Sequence, residues 1–384
     1  MSAKKFFFQS AGLLAIASFI ALNASFSLGS ALSASSSKAL DQNGVLQTID
    51  SAVQQYRQTD RSDIVLLGSS LIMSPVWTAD FHKYKQVGDF YRHHHSYLLE
   101  EKLQKTWGRA AKVFSFAVPG AMVSDMNLIV SKMLIGDKKP SLVVYGVAPR
   151  DFMDDLAGGE TKTPTFQRLG EVSDLNRENF ASSTIDEKLD LVFNRVFYLF
   201  GKRLRYQAKT DAFMRKIAKQ AKQPSADQFM AVNNLNTCPL LQDKKILWQK
   251  SLDEYRMRYQ RFNQQQFKKQ EQFLKDMLTT CNKNDMQVLL VNMPLTQTNL
   301  SLMPEGLYEK YCTMLRSVVE NSKSSKNSKI ALLDLNEDLY SDDCFYDTVH
   351  LNEVGSEAFL SSLSRSIADL ETDSSLASGS QKSL

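Results

Sequence analysis

The sequence predicts an α/β protein with a five-stranded parallel sheet and a helical insertion. Short apolar runs without polar alternation recur along the chain, a pattern typical of strands covered on both faces. Helical patterns separate these runs, as in the βαβ units of parallel sheets. The predicted strands are residues 63–67, 113–118, 142–146, 287–292 and 330–334.

Length and composition limit the function classes. The chain has 384 residues and 43% hydrophobic content, enough for one large or two ordinary domains. A net charge of +4 over this length is too small to indicate nucleic-acid binding, and the cysteines lack zinc-site spacing. We therefore expect no nucleic-acid partner.

The first 34 residues have the order of an export signal. Lys4 and Lys5 precede an apolar segment at 11–22, and small residues follow it. Residues 1–34 are therefore predicted to be a signal peptide, cleaved after Ala31 or Ser33, or an uncleaved membrane anchor. Either alternative places the body outside the cytoplasm, in the periplasm or cell envelope.

Four cysteines lie at wide, irregular spacings in the C-terminal half. In an oxidising compartment they can form two disulfides in three possible pairings, or remain free buried thiols. The sequence leaves both alternatives open. The four are Cys238, Cys281, Cys312 and Cys344.

Three adjacent histidines occur within a predicted helical stretch at 81–106. Neighbouring residues on a helix point about 100° apart, so His93, His94 and His95 cannot share one face. We therefore expect a solvated surface here, and no metal site.

The first predicted strand ends at Gly68-Ser69-Ser70. A glycine permits a sharp turn, and a serine at the start of the next helix can be an N-cap or a nucleophile. Gly120 and Gly146 end the next two strands, and the carboxyl ends of parallel strands share one edge of a sheet, where ligands bind.

An Asp-x-x-His pair follows the last strand. Asp347 can orient and stabilise the imidazole of His350, which can reach the turn after the first strand. This arrangement predicts Ser70 as nucleophile, His350 as general base and then acid, and Asp347 as the orienting carboxylate. The backbone N–H groups of Ser70 and Gly120 are the expected oxyanion donors. No cofactor is required.

These motifs resemble the SGNH (GDSL-type) hydrolase superfamily. The correspondence runs through Gly68-Ser69-Ser70, Gly120, Gly146 and Asp347-Thr348-Val349-His350. The resemblance implies a three-layer sandwich with a flavodoxin-like sheet, and an ester-cleaving or acyl-transferring serine. Two departures stand out: Ser69 replaces the usual aspartate, and the third-block asparagine is missing from Gly146-Val147-Ala148-Pro149-Arg150-Asp151.

Both departures are similar to the branch that includes the exported D-alanyl transfer protein of the dlt system and the alginate O-acetylation proteins. The chain also resembles SGNH-like proteins of cyanobacteria. The resemblance implies a serine esterase or O-acyltransferase acting on a cell-envelope glycan. The missing asparagine motivates an alternative, an inactive SGNH scaffold that serves binding or assembly.

The predicted organisation places the SGNH-like domain at 61–151 and 286–370, around a helical insertion at 152–285. A linker and short helix at 35–60 precede it, and a disordered tail at 371–384 follows. A basic stretch at 185–222 can lie on an anionic membrane surface or form a solvated face.

Three residues near the predicted site have an open role. Ser69, Arg150 and Asp151 are candidates for substrate binding. Arg150 can instead pair with a neighbouring aspartate and fix its loop.

Overall fold

The computed structural model describes residues 18–19, 44–85, 89–153, 163–170, 185, 240, 243–323, 329–335 and 340–379. The chain divides into two compact units, Met1–Asn43 with Gly170–Asn233, and Gly44–Leu169 with Asn234–Leu384. The elements described below belong to the second unit. Apart from residues 18–19 and 185, the predicted export signal and the basic stretch 185–222 lie outside the described residues. None of the described helices is both long and apolar enough to cross a membrane.

A five-stranded, all-parallel sheet forms the centre of the second unit. Its strand order is β2-β1-β3-β4-β5, the order found in flavodoxin. The α/β class and the predicted five-stranded parallel sheet are confirmed. The strands are β1 Ile64–Gly68, β2 Val113–Ala117, β3 Leu142–Val147, β4 Gln287–Asn292 and β5 Ile330–Asp334.

Helices cover the sheet in two groups. The described helices are α1 Gly44–Gln58, α2 Ser70–Tyr84, α3 Tyr97–Trp107, α4 Val123–Met133, α5 Arg150–Met153, α6 Pro164–Leu169, α7 Lys244–Gln260, α8 Gln264–Lys283, α9 Gln297–Leu300, α10 Leu307–Lys323 and α11 Glu353–Gly379. The C-terminal helix α11 packs against α2 and α3, whereas α8 packs against α4 and α10. Sheet and helices thus form a three-layer sandwich.

Helix α8 lies in the range 152–285, yet it belongs to the sandwich. Its buried side chains recur at helical spacing and join the core, among them Phe267, Leu274 and Met277. None of its charged side chains is buried, whereas two of its glutamines are: Gln266 is 5% exposed, and the fully buried Gln270 accepts the Ser124 N–H at 2.8 Å. The structure thus places the last part of this range in the layer that covers the sheet.

The histidine run is not solvated, so this prediction was wrong. Helix α2 ends at Tyr84 and α3 begins at Tyr97, and between them the chain runs beside β2. His93 and His94 are only 7% and 2% exposed. His93 Nε2 lies 2.9 Å from the Asp80 carboxylate, and His94 Nδ1 lies 3.0 Å from the Ser115 carbonyl oxygen. Burial against the sheet follows from this loop path, which helical periodicity does not reveal.

The described residues contain no group of side chains that could hold a metal ion. Cys281, Cys312 and Cys344 are free thiols in this structure. Cys238, the fourth cysteine, lies outside the described residues.

Helix α11 continues to Gly379, beyond Leu370 and into the tail predicted to be disordered. Residues 371–378 contain neither proline nor glycine, so no residue strongly opposes helix propagation before Gly379. Glycine is a common residue just beyond the end of a helix.

The strand register aligns the turns that form the candidate site. Gly68 is paired with Ala117 on one side and with Gly146 on the other, and Val147 is paired with Asn292. The chain therefore leaves β1, β2, β3 and β4 at the same edge of the sheet.

Candidate active site

Ser70 is the first residue of α2 and directly follows the turn after β1. Gly68 has φ +153°, a backbone conformation that favours glycine, and an added Cβ would lie 2.7 Å from the Gly146 carbonyl oxygen. A Cβ on Gly146 would lie 2.2 Å from Ile72 Cδ1. These two glycines let the first turn of α2 lie close to β1 and β3, which fixes the position of Ser70.

The structure brings Ser70, His350 and Asp347 together. His350 Nε2 lies 2.9 Å from Ser70 Oγ, and His350 Nδ1 lies 2.8 Å from Asp347 Oδ2. Ser70 and His350 are partly exposed, whereas Asp347 is 6% exposed. An imidazole placed in this way can take a proton from the serine hydroxyl while the carboxylate balances its charge.

The carboxylate of Asp347 is held as an anion. Its Oδ1 accepts hydrogen bonds from the backbone N–H groups of Val349 and His350, at 2.9 and 2.8 Å. Burial by itself would raise the pKa of Asp347, but the His350 side chain and these hydrogen bonds outweigh burial and lower the pKa below its ordinary value. The same bonds fix the loop and aim the His350 ring at Ser70.

Thr348, buried between Asp347 and His350, anchors this loop to the rest of the fold. Its hydroxyl lies 2.5 Å from Ser251 Oγ of α7 and accepts a 3.1 Å hydrogen bond from Asn299 Nδ2 of α9. The Thr348 carbonyl oxygen accepts a hydrogen bond from the Thr296 hydroxyl at 2.9 Å. Residues after β4 and on α7 therefore set the position of the histidine.

Two backbone N–H groups at the sheet edge are available as oxyanion donors. The N–H of Ser70 lies in the first turn of α2, where N–H groups have no intrahelical acceptor. Gly120 is exposed and has φ +73°, and within the described part of the chain its N–H makes no hydrogen bond. Both groups can therefore donate to an incoming oxygen.

The Gly120 turn is fastened by two buried charged side chains. Asp125 Oδ2 accepts the Met122 N–H at 2.9 Å, and Arg150 Nη2 donates to the Ala121 carbonyl oxygen at 2.8 Å. The Asp125 carboxylate also accepts the Thr163 hydroxyl at 2.5 Å. Burial raises the pKa of Asp125 to about 6, against the lowering effect of these hydrogen bonds.

Ser69, Arg150 and Asp151 lie beneath the site, at 1%, 4% and 1% exposure. Arg150 Nε donates to Asp151 Oδ1 at 3.1 Å, and Asp151 Oδ2 accepts the Ala148 N–H at 3.0 Å. The Ser69 hydroxyl also donates a hydrogen bond to the Asp151 carboxylate. Burial raises the pKa of Asp151, and this effect is larger than the lowering by the hydrogen bond from Ser69. This geometry fits the fixing of three strand-end turns rather than contact with a substrate.

Comparisons with known proteins show similarity only at the level of overall structure. No known protein family and no curated protein sequence matches the chain. A Bacteroides fragilis protein provisionally assigned as an acylhydrolase has a TM-score of 0.38 and 11% identity, over 84% of this chain and 97% of its own. An active-site mutant of a family two carbohydrate esterase from Clostridium thermocellum has a TM-score of 0.32 and 9% identity, over 81% of this chain and 65% of its own. Similarity at this level does not assign a reaction, so function has to be argued from the site.

Several residues in or near the site escaped the sequence analysis. Thr348 entered it only as a spacer in the Asp-x-x-His pattern, and Asp125 and the α7 residues Ser251 and Tyr255 were not singled out. No sequence signal marks these residues, because their places depend on which helix face meets which loop.

Proposed function

We propose that the protein is an SGNH-type serine esterase or O-acyltransferase that works through an acyl-Ser70 intermediate. One observation carries the proposal: the His350 ring joins the Ser70 hydroxyl to the Asp347 carboxylate, at 2.9 and 2.8 Å. This order of nucleophile, base and orienting carboxylate is the one required for acyl transfer from an ester.

The geometry supports the following steps. His350 Nε2 takes the Ser70 proton as Ser70 Oγ attacks the ester carbonyl carbon, and the carbonyl oxygen becomes the oxyanion. The N–H groups of Ser70 and Gly120 stabilise its charge. As the intermediate collapses, the alcohol leaves with the proton from His350, and Ser70 remains acylated. His350 then deprotonates water or an acceptor hydroxyl, which attacks the acyl group and frees Ser70.

The substrate class follows from the resemblance of the motifs and from the export-like N-terminus. We propose an ester on a cell-envelope glycan, cleaved outside the cytoplasm by a protein that is secreted or anchored through residues 1–34. The basic stretch 185–222 is a second membrane contact in this proposal. Acyl turnover on an acetylated glycan, measured with and without an acceptor sugar, separates transfer from hydrolysis. Transfer predicts acylated acceptor, and hydrolysis predicts free acid only.

An inactive scaffold is the second candidate. It is favoured by the turn after β3, where Ala148, Pro149 and Arg150 offer no side-chain amide for an oxyanion and Arg150 is already engaged with Asp151 and Ala121. Such a protein would bind a partner or glycan in the cell envelope without turnover.

Labelling with a fluorophosphonate distinguishes the two. The enzyme predicts a covalent adduct on the full-length protein that disappears in Ser70→Ala. Absence of labelling throughout about pH 6 to 9, a range in which a histidine base can act, would contradict the enzyme and favour the scaffold.

A further inference from the structure

Helix α7 presents three buried polar side chains on one face. Ser251, Tyr255 and Tyr259 are four residues apart and therefore follow one another along the helix, and they are 5%, 6% and 1% exposed. The outer two have partners in the candidate site or beside it. Ser251 contacts Thr348 at 2.5 Å, and the Tyr259 hydroxyl donates to Asn299 Oδ1 at 2.7 Å.

The middle residue, Tyr255, has no such partner. Its ring is buried, but within the described part of the chain its hydroxyl makes no hydrogen bond, and the oxygen still touches solvent. A buried tyrosine hydroxyl usually finds a hydrogen-bond partner. A free donor on a rigid helix is therefore available for a ligand.

The surroundings of Tyr255 place it beside the catalytic arrangement. Arg150 of α5 and Asp347 of the loop that carries His350 both act electrostatically on its hydroxyl. Tyr259 and Glu254 of α7 itself do so as well. Burial raises the pKa of Tyr255 well above its ordinary value, so the hydroxyl keeps its hydrogen at neutral and mildly alkaline pH. The groups around Tyr255 thus come from the β3 turn and from the loop that carries His350.

These two elements flank Ser70. The Asp347 loop reaches Ser70 through His350, and the β3 turn reaches the neighbouring Ser69 through Asp151. Helix α7 packs against α5 and meets the loop that carries His350 through the Ser251–Thr348 contact, so it lies at the same edge of the sheet as the N–H groups of Ser70 and Gly120. The same edge lacks a side-chain amide, since the β3 turn carries none.

We infer that Tyr255 is a further catalytic residue, whose hydroxyl donates a hydrogen bond to the carbonyl oxygen of the bound ester. The inference rests on the proposed function and adds a third donor to the two backbone N–H groups. Tyr255 keeps its proton throughout, and its hydrogen bond strengthens as the oxygen becomes negative. It therefore stabilises the transition state more than the bound ester.

Two substitutions on the same helix face test the inference, with p-nitrophenyl acetate as substrate and the full chain as enzyme. Tyr255→Phe removes a hydroxyl that makes no hydrogen bond to the described residues, so we expect an unchanged melting temperature. We also expect kcat to fall by about 100-fold with little change in KM, as for the loss of one oxyanion donor. The matched control Tyr259→Phe removes a hydroxyl that bonds Asn299. It should lower the melting temperature by about 2–4 °C and keep most of kcat.

The outcomes separate this inference from the proposed function. A wild-type enzyme whose Tyr255→Phe variant keeps its kcat would overturn the inference and leave the proposed function standing. Equal losses of kcat in both variants, each with a lower melting temperature, would also overturn it, because they indicate a structural role. A wild-type protein that neither turns over the ester nor reacts with the fluorophosphonate would overturn both.

Discussion

Asp347 uses both carboxylate oxygens to organise His350, one for the ring and one for the backbone of the loop. An asparagine can preserve part of this geometry, but its NH2 group cannot accept the Nδ1 hydrogen or balance an imidazolium charge. We therefore expect Asp347→Asn to lower kcat by about 10³- to 10⁴-fold with p-nitrophenyl acetate. Asp342→Asn, a change at an exposed aspartate five residues earlier, is the control. An Asp347→Asn enzyme with wild-type kcat would rule out this role for Asp347.

Gly146 is needed because Ile72 of α2 lies against its backbone. An added Cβ would meet Ile72 Cδ1 and Cγ1 at 2.2 and 2.3 Å. Gly146→Ala should lower the free energy of unfolding by about 1–3 kcal/mol and weaken ester turnover, because relieving the clash moves α2 and Ser70.

The clash is tested by a double-mutant cycle with Ile72→Ala, measured by urea denaturation. Ile72→Ala should cost less stability in the Gly146→Ala protein than in the wild type, since it opens space for the new methyl group. Additive losses would show that Ile72 is not what restricts this position.

At the residue scale, the sequence could predict the side chains whose place follows from strand ends. Ser70 follows a glycine after the first apolar run, and His350 stands three residues after an aspartate beyond the last run. Arg150 and Tyr255 could not be placed in this way. The role of Arg150 depends on its hydrogen bond to Ala121, and that of Tyr255 on the packing of α7 beside the loop that carries His350. No local pattern specifies either.

At the scale of elements, the Asp125 carboxyl in the first turn of α4 makes the free energy of unfolding depend on pH. Asp125 has an ordinary pKa of 3.8 and a folded-state pKa of about 6, so the folded protein binds more protons between these values. Its contribution to the free energy of unfolding must therefore fall as pH rises from about 4 to 6, by about 2–3 kcal/mol.

Urea denaturation at pH 4 and pH 6 measures this contribution. Asp125→Asn should lose this part of the pH dependence, whereas Asp137→Asn, at an exposed aspartate after α4, should keep it. If the Asp125→Asn variant shows the full wild-type difference between the two pH values, the raised pKa is excluded as its cause.

The strands were predictable because both faces of the sheet are covered, which makes each strand a continuous apolar run. The elements around them were harder to predict. Helix α8 has a mostly polar sequence, and its buried residues can be recognised only by their helical spacing. The loop that carries His93, His94 and His95 is held against the sheet by a β-bridge between His95 and Phe114. A long-range contact of this kind leaves no local pattern.

At the scale of the whole molecule, the fold joins residues that are 280 positions apart. Strand β5 lies at the sheet edge, but α11 packs beside α2, so the loop before α11 must return across the strand ends. That return carries His350 to Ser70. The three-layer packing itself therefore assembles the site.

Export also concerns the whole molecule and predicts a processed N-terminus. We expect the protein purified from its native cells to begin at Leu32 or Ala34, as determined by N-terminal sequencing and intact mass. A full-length chain in the membrane fraction would instead indicate the uncleaved anchor. An unprocessed chain in the cytoplasm would contradict export.

The central claim is that Ser70 carries the acyl group during the reaction. Rapid mixing with p-nitrophenyl acetate, an acid quench and peptide mapping by mass spectrometry test it most directly. We predict one acetyl group on Ser70 in the wild type and in Ser69→Ala, none in Ser70→Ala, and a greatly reduced amount in His350→Ala. An acetyl group on any other residue, or ester turnover that persists in Ser70→Ala, would contradict the claim.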